Sequence, residues 1–136
     1  MLAALNTKGE TIIKAKKSRD HSELLFKYLG LPIQILKKKR HDLIRIKGGK
    51  KIPVLNYKIP ADISSSAFFI VLTALTKNSK LKIKNVNINP SRTGVLKILK
   101  MMGVKILEEN KRTYKGEKIG FINPVIILNI VDFPTP

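Results

Sequence analysis

One stretch of this chain is used twice, and that repeat limits the available folds more than any other feature. Ser18-Arg19 stands 73 residues before Ser91-Arg92, and Gly30 stands 73 residues before Gly103. At that offset Leu25, Phe26, Leu29 and Ile33 meet Ile98, Leu99, Met102 and Ile106, so apolar positions match through a helix-spaced run and beyond it. Each copy reads as strand, Ser-Arg turn, helix, glycine stop, strand. Two copies are too few for a solenoid. A pseudo-symmetric α+β pair is the reading.

Between the copies lies Lys50-Lys-Ile-Pro-Val-Leu-Asn-Tyr-Lys-Ile-Pro60, an extended stretch that its prolines bar from helix. It is the natural crossover between two domains. Ahead of it, residues 1–7 read as the last turn of a helix and Glu10 to Lys16 as a strand. A helix follows over about residues 20–29, with Asp20 and Glu23 in capping-box spacing and Gly30 as its stop. Leu31 to Leu36 and Asp42 to Lys47 form a hairpin across a charged turn, closed by Gly48-Gly49. Beyond the crossover, a helix opens at Asp62 or the serines after it. It is apolar nearly all round and so is expected to be buried on most sides, with Phe68 and Phe69 in the core. Lys80 to Ile88 is a strand. The next helix carries Val95, Ile98, Leu99 and Met102, and Met101 and Met102 are expected to fill core. Val104 to Leu107 is a strand, and Glu108 to Thr113 is expected to be a polar turn.

Charge sets the class of partner. The chain has 27 Lys plus Arg against 9 Asp plus Glu, a formal charge of +18, which calls for anionic partners without choosing among nucleic acid, membrane surface and phosphorylated small molecules. With no cysteine there are no disulfides or thiolate metal ligands, and the two histidines, His21 and His41, have no metal-motif spacing. No stretch resembles a signal peptide or reaches the roughly 18 apolar residues of a membrane helix, so a cytoplasmic protein is expected.

Three basic residues stand where a helix begins. Lys16, Lys17 and Arg19 crowd the expected N-terminus of the first repeat's helix, beside amide groups with no intrahelical partner, an arrangement suited to phosphate or carboxylate. Ser18 either donates to the same anion or caps the helix. His21, in the first turn, is expected to be structural, and His41 to be exposed in the hairpin turn.

Several blocks in order resemble one family. Ser18-Arg-Asp-His-Ser-Glu, Lys47-Gly-Gly, Pro60-Ala-Asp-Ile-Ser-Ser-Ser-Ala-Phe-Phe, Lys84-Asn-Val, Asn89-Pro-Ser-Arg-Thr-Gly-Val and Met102-Gly are similar to consecutive blocks of 3-phosphoshikimate 1-carboxyvinyltransferase (5-enolpyruvylshikimate-3-phosphate synthase). The resemblance implies α+β domains built from βαβαββ units, with parts of two pseudo-symmetric domains in this chain. It places the end of one domain at 1–52, the crossover at 53–61, the start of the second at 62–119 and a diverged tail at 120–136. It implies transfer of a carboxyvinyl group from phosphoenolpyruvate to the 5-hydroxyl of shikimate 3-phosphate with release of phosphate, in the shikimate pathway to chorismate and the aromatic amino acids.

No metal or organic cofactor is implied. Arg19 matches the position of the family's arginine that contacts shikimate 3-phosphate, with Ser18 as a second donor to that phosphate or a helix cap, Lys17 as general field and Asp62 as a helix cap or cleft residue. The family's Ser-x-Gln block, general-base Asp and later Lys/Arg clusters find no match. The expectation is therefore an internal portion with no catalytic residue, inactive alone and monomeric at full length, with no nucleic-acid or membrane partner. A basic nucleic-acid-binding domain is the alternative from charge, against which stand the 6% aromatic content and absent Trp. A nucleotide-sugar carboxyvinyl transferase is a third reading, which the Ser-Arg-Asp-His and Asn-Pro-Ser-Arg-Thr-Gly blocks oppose.

Overall fold

The first unit of the protein is a three-stranded antiparallel sheet carrying helices on one face. In this computed structural model, which describes residues 1–125, the chain divides into two compact units. One comprises Met1–Lys58 with Lys115–Glu117, the other Ile59–Tyr114 with the chain from Lys118 onward. The first contains α1 (Leu2–Asn6), β1 (Glu10–Lys16), α2 (His21–Tyr28), β2 (Ile33–Lys37) and β3 (His41–Lys47). The last strand lies in the middle, in the order β1-β3-β2, antiparallel to both neighbours.

The register explains the core. Ile13, Ile44 and Ile35 are aligned across the three strands, as are Thr11, Ile46 and Ile33. Because side chains alternate between faces, these rows share the face against which Ala4, Leu5, Phe26 and Leu31 pack. The other face carries Ile12, Arg45 and Gln34 in one row and Lys14, Leu43 and Leu36 in the next.

Glycine closes this unit. The Gly48 amide donates to the Gly9 carbonyl and the Gly49 amide to the Leu5 carbonyl, both at 2.9 Å. A Cβ on Gly48 would lie 1.7 Å from the Thr7 carbonyl oxygen, a backbone atom that cannot swing aside. The Lys47-Gly-Gly block thus permits the end of β3 to touch the turn after α1.

The second unit repeats the arrangement. It holds α3 (Ile63–Leu75), β4 (Ile83–Asn87), α4 (Gly94–Met101), β5 (Lys105–Tyr114) and β6 (Glu117–Val125), again with the last strand central, in the order β4-β6-β5. An offset of 73 carries α2 onto α4 residue for residue. Both helices end alike. Gly30 and Gly103 take positive φ, and their amides donate to Lys27 and Lys100 carbonyls while the next amides donate to Phe26 and Leu99 carbonyls, which is a Schellman motif in each copy. Ala61 adds a parallel bridge to Val86 in front of α3. The order in this unit is therefore β-α-β-α-β-β. Ile63, Ile70, Val86, Ile88, Leu96, Leu99, Ile106 and Ile122 form its core.

Several expectations fail. The helix α3 is not buried on most sides: Ile63, Ser66, Ile70 and Thr73 face inward, but Phe68, Phe69, Leu72 and Leu75 are exposed, Phe68 by 78%. Met101 and Met102 are likewise exposed rather than core. The reason is geometric, since one sheet covers one face of a helix, and among the described residues no element covers the other. The third failure is the polar run Glu108–Thr113. It is strand, within β5, and the reversal falls at Lys115-Gly116, both at positive φ. Pairing with β6 overrides the run's low strand propensity, and its acids meet cations: Glu108 with Lys100 and Lys111, Glu109 with Lys82. His41, expected in the turn, is instead the first residue of β3 and partly buried. Of the tail set apart at 120–136, residues up to 125 belong to β6, and the rest lies outside the described residues.

Two stability measurements follow. In denaturant melts Gly48→Ala is expected to lose roughly 2–4 kcal/mol, because only backbone movement relieves the clash. Ile70→Ala should cost about 2–5 kcal/mol, whereas Phe69→Ser on the open face of α3 should stay within about 0.5 kcal/mol.

Candidate functional site

The basic turn hangs from a well-paired strand. Ala15 and Lys16 are aligned with Asp42 and His41 of β3, after which Lys17 to Asp20 have no regular structure and α2 begins at His21. Lys16, Lys17, Ser18 and Arg19 are all exposed. Among the described residues, Lys17, Ser18 and Arg19 have no ion pair and no side-chain hydrogen bond. Neither Ser18 nor Asp20 caps the helix. Asp20 is the N-cap residue but accepts no cap hydrogen bond, so the expected capping box with Glu23 does not form. Its carboxylate lies instead 3.8 Å from Lys37 Nζ, across the sheet end. The first turn of α2 therefore has orphan amides and loose cations beside it.

The next residue is held elsewhere. His21 Nδ1 lies 2.5 Å from Oε1 of Glu117, whose side chain is buried. A Cβ on Gly116 would come within 2.7 Å of the Leu24 carbonyl, so the Lys115–Glu117 segment packs closely on α2. His21 is thereby tied to the Lys115–Glu117 segment.

Asp62 stands at the start of the second unit. It is the N-cap of α3: Oδ1 accepts the Ser64 amide and Oδ2 the Ser65 amide, both at 3.3 Å, and Ser65 Oγ donates to Oδ2 at 3.2 Å. Arg92 Nη2 donates to Asp62 Oδ1 at 2.5 Å and to Ser64 Oγ at 2.7 Å. Partial desolvation pushes the Asp62 carboxyl up, but the Ser64 and Ser65 amides, the Arg92 charge and the Ser65 hydroxyl together hold it below its ordinary 3.8.

The two copies of the Ser-Arg turn thus differ in what their guanidinium meets. Arg92 grips a carboxylate and a serine at a helix N-terminus. Arg19 has no ion pair among the described residues. Sequence reasoning reads Arg92 as the repeat of Arg19 in a block that the resemblance makes mainly structural, but does not find Asp62 as its partner. The signal was present in the repeat, which puts Arg92 after the strand that follows α3.

Lys82 meets Glu109 at 3.1 Å and lies 5.3 Å from the Phe121 ring centre. An open depression of about 390 Å³, lined by Thr93, Leu96, Lys97, Lys100, Met101 and Glu108, holds none of Lys17, Ser18, Arg19 and Asp62. Among the described residues, no group of three or more acids and histidines could hold a metal ion, and no helix is long and apolar enough to cross a membrane.

Known proteins share this sequence and fold. The family model for EPSP synthase (3-phosphoshikimate 1-carboxyvinyltransferase) matches residues 1–135. The chain belongs to the EPSP synthase family. It is 46% identical over 122 residues to the 3-phosphoshikimate 1-carboxyvinyltransferase of Petrotoga mobilis and 42% over 120 residues to that of Syntrophomonas wolfei, covering 88% of this chain in each case. An EPSP synthase structure from Acinetobacter baumannii superposes with a TM-score of 0.77 at 38% identity over 90% of this chain. The chain spans 27% of the length of each of these relatives. The fold is accordingly part of the enolpyruvyl transferase fold, and nothing in these matches supports the nucleic-acid reading.

The cap generates a pH prediction. Asp62→Ala should cost about 1 kcal/mol at neutral pH. Because the folded-state value is lowered, the charged carboxylate's contribution is complete above 3.8 and is lost as pH falls through the lower folded value. Thermal melts of wild type and Asp62→Asn should therefore differ at neutral pH and converge as the pH drops below 3.8.

Proposed function

We propose that this chain is part of an enzyme that transfers a carboxyvinyl group from phosphoenolpyruvate to the 5-hydroxyl of shikimate 3-phosphate, releasing phosphate. Its contribution is to hold the acceptor substrate's phosphoryl group with Arg19, assisted by Ser18 and by the field of Lys17. Residues 1–52 are the end of one domain, 53–61 the crossover, 62–119 the opening of the next and 120–136 a diverged tail. The observation that carries the reading is an exposed guanidinium that forms no ion pair among the described residues, set beside the uncapped first turn of α2.

Physical chemistry supports that assignment. A guanidinium matches phosphate oxygens through several donors at once, and orphan helix amides favour the same charge. The second unit supplies an internal precedent, because the matching Arg92 holds an anionic group at 2.5 Å. Asp62 is engaged as a cap and as the partner of Arg92, which supports a structural rather than substrate-binding role. No residue described here forms the acid–base pair that the transfer needs, so the chain by itself is inactive. The full-length protein is a monomeric cytoplasmic enzyme of the shikimate pathway in this reading.

Calorimetric titration of the chain with shikimate 3-phosphate tests it. One charge-assisted bond of about 1.5–3 kcal/mol corresponds to a weakening of roughly 10- to 100-fold for Arg19→Ala. Arg92→Ala should bind as wild type does. Equal affinity of wild type and Arg19→Ala, or no binding by either, would remove the assignment.

A further inference from the structure

The crossover has neither helix nor strand over residues 50–60, yet the point where it enters the second unit is held from two sides. On one side the Ala61 amide donates to the Asn85 carbonyl and the Ala61 carbonyl accepts from the Asn87 amide, both at 2.9 Å. On the other, Arg92 holds the very next residue, Asp62, and reaches Ser64.

These two anchors are one structure. The side chain of Asn87 accepts the Asn89 amide at 2.9 Å. The Asn89 carbonyl accepts the Arg92 amide at 2.8 Å, and Asn89 Oδ1 accepts both the amide and the hydroxyl of Ser91 at 2.9 Å. Asn89 is buried. The path Ala61–Asn87–Asn89–Arg92–Asp62 therefore closes on itself, since Asp62 adjoins Ala61 in the chain. Arg92 is its more enclosed ionic member, its side chain 13% exposed against 47% for Asp62. A ring of this kind resists bending at any one bond, because each link is braced by the others.

We propose that Arg92 is a positioning residue that closes this ring and so fixes the direction in which the crossover enters α3. Its guanidinium acts through Asp62 and Ser64 and binds no substrate. The function of the Asn89-Pro-Ser-Arg block is then to orient the junction, not to repeat the anion site of the first unit. This inference stands apart from the substrate reading.

Amide hydrogen exchange of the whole chain by NMR tests it. Arg92→Ala is expected to speed exchange about 10-fold or more at Ser64 and Ser65 and also at Ala61 and Asn87, while the interior of α4 stays within about twofold. Arg92→Lys should rescue part of the effect, since an ammonium keeps the charge but not the planar fork. Arg19→Ala should leave all of these amides as in wild type, which separates this test from that of the substrate site. Acceleration confined to Ser64 and Ser65 would reduce Arg92 to a helper of the cap and overturn the proposal. So would unchanged exchange, or a uniform rise across the second unit in both Arg92 variants. Should Arg92→Ala not fold, Arg92→Lys and Arg92→Gln decide by the same pattern.

Discussion

Each half of this chain depends on stopping a short helix at the place where the chain must return to its sheet. Gly30 and Gly103 do this by adopting a positive φ that residues with a Cβ resist. The two hydrogen bonds behind each glycine satisfy carbonyls that would otherwise point into apolar surroundings. Once the helix is stopped, Phe26 and Leu99 stay against the sheet, and Leu31 and Val104 lead into the following strands. The third strand can then pair between the first two. The same order of events gives both sheets a central last strand.

The charge excess is organised by how few acids there are. Asp20, Asp62, Glu108 and Glu109 are all within ion-pair reach of Lys or Arg, and Glu117 meets His21. With 27 basic side chains against 9 acids, the basic groups outnumber their possible acidic partners threefold. Such cations on an exposed turn are stabilised by an external anion at little desolvation cost. Arg92 is different, because its partner is carried on the same unit. That single difference separates the two copies of one motif into an anchor and a candidate binding residue.

The apolar residues on the outer side of α3 and α4 follow the same logic at the level of packing. A helix that is apolar all round needs covering on more than one side, and the unit has one sheet to offer. The chain covers 27% of its relatives' length, so the relatives contain much that this chain does not. Phe68 and Met101 are exposed because a single sheet leaves the outer side of each helix open, not because their chemistry is suited to water.

Much of this was legible in the residues. Strand β1 and the end of β3 at Gly48-Gly49 were legible from local alternation and glycine placement, and the repeat predicted α4 from α2 because matching apolar spacing demands matching helices. The polar run after Leu107 was not legible as strand, since its charges are placed by partners on Lys82, Lys100 and Lys111 that a local reading does not see. The cap of α2 was misread for a related reason: Asp20 has the right type and spacing, but Lys37 lies on its other side. Family membership, the two-copy architecture and the location of the basic turn were determined by sequence alone, because they rest on order and spacing along the chain. Which arginine is occupied, which helix face is open and where β5 turns were decided by tertiary structure, because each depends on a neighbour distant in sequence.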